Sequence, residues 1–402
     1  MTAVSAEATG DGLGALVDAL DLVDHHCHAV VGHDLDRPAF ELLVGEADRP
    51  APVGCSALDT SLGLALRAWC APLLDLPFGV DAGRYVERRV ELGADEVNAR
   101  MLAGGARQLL VDTGYRADEL ASPAQLARWA DGTVHEIARL ETMGEAVAAS
   151  LVRSGSGNGA GGGRADAYAD RLSEAMAERT AAVGWKSIAA YRGGLELDWR
   201  RPTPAEVRAA AAEWLSAGPT DGPGGAVWRM EHPVLIRHGV WTAVDNGRPV
   251  QFHTGFGDTD SLLLRANPAH LSGLIAATAG VATPIMLLHC WPYHREAGYL
   301  ANVWPHVHLD VGEALPHVGR RGAAVLAEVL ELAPWHKLLY SSDAFGLAEL
   351  YHLGATTHRR ALTSVLEPLA TMGFEWEELS RLATLVTSGN ARRVYPELVP
   401  GG

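Results

Sequence analysis

The sequence predicts an α/β protein, a (β/α)8 TIM barrel with a helical insertion after its first strand. Short apolar runs alternate with Ala-rich amphipathic stretches, which is the pattern of β-α-β units around a parallel sheet. Eight such runs are present, the number that a closed barrel of this kind requires. Residues 34–106, after the first run, are too long for one connection and contain helical patterns such as SLGLALRAW. We expect this insertion to cover the mouth of the barrel.

Each predicted strand is a short apolar run bounded by polar or turn-forming residues. The eight runs are residues 22–28, 108–112, 133–141, 184–191, 249–255, 284–290, 307–312 and 337–345. Helical patterns between them include residues 203–217, 317–332 and 357–371. The first of these helices has a clear start signal, with Thr203 as N-cap, Pro204 in the first helical position and Glu206 three residues after the cap.

One domain is expected for residues 1–402, because α/β barrels often form long single domains. The tract at 154–164, SGSGNGAGGGR, consists mainly of Gly and Ser, a composition typical of flexible chain. Since the strand pattern continues on both sides of this tract, we interpret it as a mobile loop within the domain and not as a boundary.

Charge and composition exclude several classes of protein. The chain has 33 basic and 49 acidic residues, whereas binding to nucleic acid or to an anionic membrane requires a basic face. No apolar run reaches the length of a membrane span, and the first residues lack the basic and apolar regions of a signal peptide. The four cysteines form no C-x-x-C pair and indicate reduced thiols. A cytoplasmic protein is therefore expected.

The strongest local sign of chemistry is the segment Asp24-His25-His26-Cys27-His28 in the first predicted strand. Alternate residues of a strand share a face, so His26 and His28 point the same way and can hold one metal ion. A histidine cluster can equally be a chance surface feature or polar filler in a core. The H-x-H pattern by itself leaves these interpretations about even.

Ligand-type side chains also end three later runs: His253, His289 and Asp343. In a barrel, the C-terminal ends of the strands converge on one mouth, where active sites are built. Four strand ends that carry such residues favour a metal centre over coincidence. Nitrogen and carboxylate ligands suit zinc, manganese or ferrous iron, with Zn2+ the first choice for hydrolysis.

Lys186 lies in the otherwise apolar fourth run, GWKSIAAY. A lysine inside a barrel strand is costly unless it is paired or chemically altered. One interpretation is an ion pair with Glu141 or Asp343, or a side chain whose amine reaches solvent. The other is a carboxylated Lys186 whose carbamate oxygens bridge two metal ions.

Taken together, these residues resemble the amidohydrolase superfamily. Its pattern is H-x-H on strand 1, Lys or Glu on strand 4, His on strands 5 and 6, and Asp on strand 8. The chain supplies this set in order, as His26, His28, Lys186, His253, His289 and Asp343. Segments such as KSIAAYRGGLEL, PVQFHTGFGD and LLHCWPYHREAGYLA resemble the amidohydrolase-2 branch. More narrowly, they resemble the amidohydrolase domain that is fused to glutamine-synthetase-like domains in fungal and plant proteins.

The resemblance implies a metal-dependent enzyme that hydrolyses an amide bond of a small molecule. A γ-glutamyl-type amide is suggested by the synthetase domain that accompanies such domains in relatives. In the implied mechanism the metal activates a water molecule and polarises the scissile carbonyl. Asp343 accepts the proton of the water and passes it to the leaving amine. His289 supports the oxygen that gains charge, or binds a second metal ion.

The number of metal ions stays open between two arrangements. A mononuclear site would use the two strand-1 histidines, His253 and Asp343, leaving His289 to polarise the substrate. A binuclear site would place one ion on the strand-1 histidines and Asp343, and a second on His253 and His289, with Lys186 between them. We favour the binuclear form because of Lys186, which many members of the branch lack.

Candidates for contact with the substrate lie just past the strand ends. Arg192 has the planar fork that suits a substrate carboxylate, and a structural ion pair at the barrel rim explains it equally well. Tyr115, Tyr191 and Trp291 are further candidates to line the pocket, although aromatic residues in such places are at least as often packing.

Other functions fit part of the pattern. A lyase of the same branch would use the metal cage to remove carboxylate from an aromatic acid, and Lys186 favours the hydrolase over it. A non-catalytic metal-binding scaffold would need no acid–base group beside the ion. An isomerase of the uronate type is a fold-level analogy alone. We also expect a homo-oligomer, as is common among barrel enzymes.

Overall fold

The computed structural model describes residues 10–153, 162–222 and 225–399. Seven parallel strands form one sheet, in the order β1-β2-β3-β4-β7-β8-β9, and two more form a separate antiparallel hairpin that the sequence did not predict. In chain order the strands are β1 (Val23–Cys27), β2 (Gln108–Asp112), β3 (Thr133–Arg139), β4 (Ala182–Ser187), β5 (Thr220–Gly222), β6 (Gly225–Val227), β7 (Val250–His253), β8 (Ile285–Leu288) and β9 (Val307–Leu309).

Helices connect the strands and surround the sheet. In chain order they are α1 (Gly10–Ala19), α2 (Arg37–Leu42), α3 (Ser61–Ala65), α4 (Ala82–Leu92), α5 (Ala94–Leu102), α6 (Pro123–Ala130), α7 (Leu140–Arg153), α8 (Gly162–Glu178), α9 (Pro204–Ala217), α10 (Pro233–Asn246), α11 (Ser272–Ala277), α12 (His294–Val303), α13 (Ala314–His317), α14 (Gly322–Val329), α15 (Ala348–Thr371), α16 (Trp376–Thr384) and α17 (Asn390–Val394). Crossover helices between parallel neighbours are what the predicted β-α-β pattern requires.

The predicted start of the helix at 203–217 is confirmed, because its local signals are strong. α9 begins with the predicted capping box, in which the Thr203 hydroxyl accepts from the Glu206 amide and the Glu206 carboxylate accepts from the Thr203 amide. The predicted helix at 357–371 is the second part of α15. The one predicted at 317–332 is divided, because a turn at Gly319–Arg321 separates α13 from α14.

The eighth predicted strand, 337–345, is not a regular strand, yet its backbone closes the barrel. The Leu339 amide donates to the Leu309 carbonyl at 3.0 Å, and the His25 amide donates to the Tyr340 carbonyl at 3.1 Å. The segment therefore lies between β9 and β1, where an eighth strand belongs. The fold class predicted from the sequence, a (β/α)8 barrel, is confirmed with this one irregular position.

Side chains from neighbouring segments explain why the eighth position is irregular. The Asp24 carboxylate accepts hydrogen bonds from the Ser342 amide at 2.9 Å and from its hydroxyl at 2.5 Å, so this amide is not available to a ladder. The next residue, Asp343, has a φ of 49°. A Cβ atom on Gly312 would lie 1.8 Å from the Ser341 carbonyl oxygen, so the close approach of the two segments requires a glycine.

The two faces of the sheet have different neighbours. On β8, Ile285 and Leu287 belong to a large apolar cluster beneath the helices, whereas Met286 and Leu288 join a small cluster with Tyr395. Because alternate side chains of a strand point to opposite faces, the small cluster marks the inner face of the barrel. The segment that follows α17 therefore fills part of the barrel interior.

The same alternation directs several polar side chains inward. Trp185 and Phe252 lie in the outer cluster, so the neighbouring Lys186, Gln251 and His253 point into the barrel. All five side chains are buried. The interior thus contains ionisable and amide groups at the level of the strand ends, above the apolar cluster.

The region predicted as an insertion, 34–106, contains α2 to α5, and its loop after α2 brings Glu46 to a cavity that Asp343 also lines. Of the Gly/Ser tract at 154–164, residues 154–161 lie outside the described residues, and the remainder belongs to the start of α8. The prediction of one domain over the full chain stays a prediction.

The four cysteines are free thiols, as predicted. Among the residues that the structure describes, no helix has both the length and the apolar character needed to cross a membrane.

Candidate metal centre

Three imidazoles meet one carboxylate at the C-terminal ends of the strands. Asp343 Oδ1 lies 3.0 Å from His26 Nε2 and 3.3 Å from His28 Nε2, and Asp343 Oδ2 lies 3.4 Å from His289 Nε2. The three imidazoles are buried, and the carboxylate is 13% exposed. The structure therefore brings together four of the predicted site residues, from the two ends of the chain and from the turn after β8.

A chain of hydrogen bonds determines which nitrogen of His26 carries a proton. The Gln251 amide nitrogen donates to the His25 carbonyl at 2.7 Å and to the Tyr395 hydroxyl at 2.9 Å. The Gln251 oxygen is consequently the acceptor for His26 Nδ1, at 2.8 Å. His26 Nε2 then presents a lone pair toward the lone pairs of Asp343, an arrangement that requires a cation or a proton in between.

Several buried polar atoms of this cluster have no hydrogen-bond partner within the described structure. They are His28 Nδ1, both ring nitrogens of His289, and Asp343 Oδ1. Leaving such an atom unpaired costs roughly 1–3 kcal/mol, so their accumulation at one point calls for a ligand. The donor atoms of His26, His289 and Asp343 all lie within 4.8 Å of one another. Imidazole nitrogens and a carboxylate that converge in this way fit a divalent metal ion such as zinc.

The backbone at these strand ends is held in an unusual conformation. His289, Cys290 and Asp343 have φ values of 67°, 56° and 49°, in the left-handed region that residues other than glycine seldom adopt. Each such residue costs on the order of 1–3 kcal/mol, and residues of this kind concentrate at functional sites. Asp310 holds the turn by accepting from the His289 amide at 2.9 Å and from the Gly312 amide at 3.1 Å.

Lys186 lies at the same cluster and not in solvent. Its Nζ is 3.2 Å from His26 Nε2, and the side chain is buried. Burial lowers the pKa of Lys186 to about 8, although the Asp343 carboxylate opposes this shift. Glu141, one ion-pair partner considered from the sequence, instead accepts a hydrogen bond from the Ser187 hydroxyl at 2.8 Å.

Burial favours the neutral form of two imidazoles, those of His26 and His289. Burial, with the charge of Lys186, lowers the pKa of His26 to about 3, and burial lowers the pKa of His289 to about 4. A neutral imidazole is the form that binds a metal ion, because its free nitrogen keeps its lone pair.

His253 stands beside the cluster and contacts it through its ring. The ring centroid lies 4.7 Å from that of His289 and 4.4 Å from that of Tyr191. His253 Nε2 donates to the Phe256 carbonyl at 3.0 Å, which leaves Nδ1 with a lone pair. A Cβ atom on Gly257 would lie 2.0 Å from the Tyr191 hydroxyl oxygen and 3.0 Å from His253 Nε2, so this tight packing depends on the glycine.

The predicted substrate contacts occupy different environments. Arg192 is largely buried, with Nη2 3.5 Å from Glu145 Oε1, while its Nε has no partner in the described structure. The ion pair considered from the sequence thus has a partner in Glu145, and one donor of the guanidinium is left over. Tyr115 packs its ring 5.9 Å from that of His28, whereas Trp291 packs against Phe256 with a ring separation of 5.6 Å.

Sequence reasoning missed several residues that support or border the cluster. Gln251 precedes the predicted His253 by two positions on the same strand face, so alternation could have identified it. Asp310 follows β9 directly and is a strand-end carboxylate like the predicted ones. Glu46 and Glu313 lie in loops at the mouth of the barrel, and no local pattern brings them together.

Comparisons with known proteins agree with this geometry. A family model described as Amidohydrolase matches residues 23–396. The chain is 27% identical over 414 residues to Protein fluG of Emericella nidulans, a match that covers 96% of this chain. It spans about half the length of that curated relative, 47%.

Solved structures extend the comparison. A Lactobacillus casei protein assigned as a metal-dependent hydrolase is 26% identical with a TM-score of 0.78, over 96% of this chain and 97% of that one. Uronate isomerase from Thermotoga maritima is 13% identical with a TM-score of 0.62, over 96% of this chain and 97% of that one, a likeness of fold alone. The family match covers nearly the whole chain and confirms the resemblance seen in the sequence. The chain therefore belongs to the amidohydrolase family and is a metal-dependent hydrolase on a (β/α)8 barrel.

Proposed function

We propose that this enzyme hydrolyses an amide (C–N) bond of a small molecule and that Asp343 moves the protons of the reaction. The observation that carries the proposal is the Asp343 carboxylate, which lies 3.0 to 3.4 Å from three buried imidazoles. His26, His28 and Asp343 would hold one metal ion, with Zn2+ as the first candidate and Mn2+ or Fe2+ as alternatives. A divalent metal in this place supplies Lewis-acid activation of water and of the scissile carbonyl.

The residues of the chain would divide the remaining work. An oxygen of Asp343 accepts a proton from the attacking water as the new C–O bond forms. The same carboxyl group then delivers this proton to the leaving nitrogen as the C–N bond breaks. His289, whose ring nitrogens have no hydrogen-bond partner in the described structure, supports the carbonyl oxygen that gains charge or binds a second ion.

We propose the binuclear form of the site, with Lys186 carboxylated. In this modification the neutral amine adds to carbon dioxide, an N–C bond forms, and one proton is released. The approach of Lys186 Nζ to His26 Nε2 at 3.2 Å, inside the barrel, supports a bridging position. The free Nδ1 of His253, next to His289, supports a second pair of ligands.

For the substrate, we propose γ-glutamyl-type amides as the first class to test, on the strength of the resemblance to domains fused to glutamine-synthetase-like proteins. Arg192 would bind a substrate carboxylate through its Nε, which has no partner in the described structure. Tyr115, Tyr191 and Trp291 would form the walls of the pocket. The cytoplasmic location and the homo-oligomer expected from the sequence stay predictions.

The experiment that tests this function is a paired product assay. The metal-loaded enzyme is incubated with a panel of γ-glutamyl amides and simple amides, and the released amine is quantified. The same enzyme is incubated with aromatic acids, and released carbon dioxide is quantified. We expect amine release that is lost in the Asp343→Asn variant. Release of carbon dioxide without amine release would identify the lyase instead.

A further inference from the structure

A second group of ionisable side chains lies directly beside the Asp343 cluster. The ligand atoms of Glu46, Glu313 and His317 all lie within 4.8 Å of one another. All three residues line the cavity that Asp343 also lines. Glu46 comes from the loop after α2, Glu313 immediately precedes α13, and His317 ends that helix. Whatever occupies this cavity therefore meets the two carboxylates and the proposed catalytic group together.

The two carboxylates of this group lack the strong partners that other buried carboxylates of the chain have. The Arg89 guanidinium pairs with Glu349 at 2.5 Å, and a serine hydroxyl donates to Glu141 at 2.8 Å. Within the described ranges, no hydrogen bond or ion pair joins Glu46 or Glu313 to an arginine or a lysine. Glu313 is only 5% exposed, and its Oε2 has no hydrogen-bond partner. A buried carboxylate without a hydrogen-bonded cation is costly, which makes a cationic ligand its chemical complement.

His289, a residue of the metal centre, also approaches this group of side chains. His289 Nδ1 lies 3.5 Å from Glu313 Oε2, and this fully buried nitrogen also has no hydrogen-bond partner in the described structure. Two unpaired buried polar atoms thus face each other at the boundary between the metal centre and the carboxylate pair. The Glu313 oxygen is an acceptor, so a ligand with hydrogen-bond donors would satisfy it.

The remaining walls of the cavity indicate what kind of cation fits. Apolar side chains line it together with the carboxylates, namely Leu43, Pro316, Phe345 and Leu350. A bare metal ion gains nothing from apolar walls, whereas an alkylammonium group buries its hydrocarbon stem against them and directs its N–H donors to the carboxylates. The mixture of two carboxylates and an apolar lining therefore favours an organic amine over a metal ion.

We infer that Glu46 and Glu313 form a subsite for an alkylammonium group of the substrate, next to Asp343. The inference rests on the proposed function as an amide hydrolase, and it narrows the substrate class to amides that carry a cationic amine close to the scissile bond. The ammonium group belongs either to the acyl part of the amide or to its amine part. In either case the ammonium group would bind Glu46 and Glu313 in the same way.

A binding measurement tests the subsite without depending on hydrolysis. The binding of n-butylammonium and of its uncharged counterpart n-butanol to the metal-loaded enzyme is measured by titration calorimetry. We expect n-butylammonium to bind at least about tenfold more tightly, as the loss of a charge-assisted hydrogen bond implies. Glu46→Gln and Glu313→Gln should each remove most of this difference. Glu377→Gln, on an exposed position of α16, is the matched control and should not change it.

Glu46 is only partly buried and lies in a loop, so Glu46→Gln keeps the test valid if Glu313→Gln fails to fold. Equal binding of n-butylammonium and n-butanol would overturn the inference. Loss of one metal ion per chain in folded Glu46→Gln, with amine binding unchanged, would also overturn it and show a metal site.

The substrate arm compares kcat/KM for three matched amides: one with the ammonium in the acyl part, one with it in the amine part, and one with that amine acetylated. We expect one charged amide to exceed the acetylated one, and this preference to disappear in Glu46→Gln. The better charged amide identifies the source of the ammonium group. If no amide is hydrolysed while n-butylammonium binding stays sensitive to Glu46→Gln, the proposed function fails and the subsite is supported. Equal rates for all three amides would count against the subsite.

Discussion

Two buried ionic clusters of this enzyme differ in how many of their polar atoms have hydrogen-bond partners. Where α4 meets α15, Arg89 donates to both oxygens of Glu349, at 2.5 and 3.4 Å, and the Tyr85 hydroxyl donates to the same carboxylate at 3.1 Å. At the strand ends, the Asp343 carboxylate approaches three imidazoles, yet Asp343 Oδ1 and both nitrogens of His289 have no hydrogen-bond partner in the described residues. We call the first cluster closed, because its charged groups pair with each other. We call the second cluster open, because several of its polar atoms have no partner.

This difference separates a structural ion pair from a binding site. A buried charge that is fully paired contributes to a unique fold and leaves no atom for a ligand. The open cluster combines unpaired atoms with left-handed backbone at His289 and Asp343, which the surrounding structure must stabilise. The cluster at the strand ends can accept a metal ion, as proposed above, whereas the Arg89 pair is complete as it stands.

Of the substitutions in the two clusters, Asp343→Asn is expected to have the largest effect, and that effect is on turnover. The amide cannot accept and deliver the proton of the attacking water, so turnover should fall by about 10²- to 10⁴-fold. The fold should be kept, because the substitution preserves the size of the side chain. The measurement is kcat on an amide substrate, with circular dichroism and metal content on the same sample. Near-normal turnover in a folded, metal-loaded variant would exclude the proposed role.

A substitution in the closed cluster should lower the stability of the protein and leave its metal content unchanged. Arg89→Ala leaves the buried Glu349 carboxylate without its charged partner, so the free energy of unfolding should fall by about 3–5 kcal/mol. Urea denaturation measures this loss. Metal content per folded chain should not change. Replacing both partners, as Arg89→Met with Glu349→Leu, serves as the control and should recover most of the stability. Loss of metal without loss of stability in Arg89→Ala would contradict the distinction between the clusters.

A smaller effect is expected for Gln251→Leu, which removes the acceptor that orients His26 and fixes its tautomer. Loss of such a supporting hydrogen bond typically lowers metal affinity by about 10- to 100-fold. Competition with a chromophoric chelator measures the affinity. Gln108→Leu is the matched control, since Gln108 begins β2 and donates to the Leu398 carbonyl. Equal metal affinity in both variants would show that Gln251 has no part in the site.

The smallest effect is expected at an exposed ion pair. Arg381 donates to both oxygens of Glu378 at 2.7 Å, but both side chains are well exposed, 56% and 38%. Glu378→Gln should change the free energy of unfolding by no more than about 1 kcal/mol, because water screens the pair. The same urea titration measures it. A loss as large as that of Arg89→Ala would show that burial does not determine the contribution of these pairs.

The convergence of these side chains could be predicted because its signals are local. His26 and His28 share a strand face by alternation, and His289 and Asp343 end apolar runs whose C-terminal ends meet in any barrel of this class. Lys186 was conspicuous as a charged residue in an apolar strand. These inferences need the strand direction and the barrel topology, but no knowledge of loop conformation.

The parts that could not be predicted depend on contacts between distant segments. The bonds from Ser342 to Asp24, which bend the eighth strand position, join residues more than three hundred positions apart. The approach of Glu46 to Glu313 depends on the path of a loop in the insertion. The sequence also does not show which ring nitrogen of His253 faces the site. Its Nε2 donates to the Phe256 carbonyl, a contact set by the turn after β7, and His253 as a metal ligand stays a prediction.

The binuclear metal centre is tested most directly by elemental analysis of the purified enzyme, paired with intact mass under conditions that retain carbon dioxide on lysine. We predict two divalent metal ions per chain and one carboxyl group on Lys186. Activity should be lost when a chelator removes the metal and restored when Zn2+ is returned. One ion per chain at full activity, with unmodified Lys186, would contradict the binuclear centre. Full activity without any metal would contradict the claim that the cluster around Asp343 is a metal site.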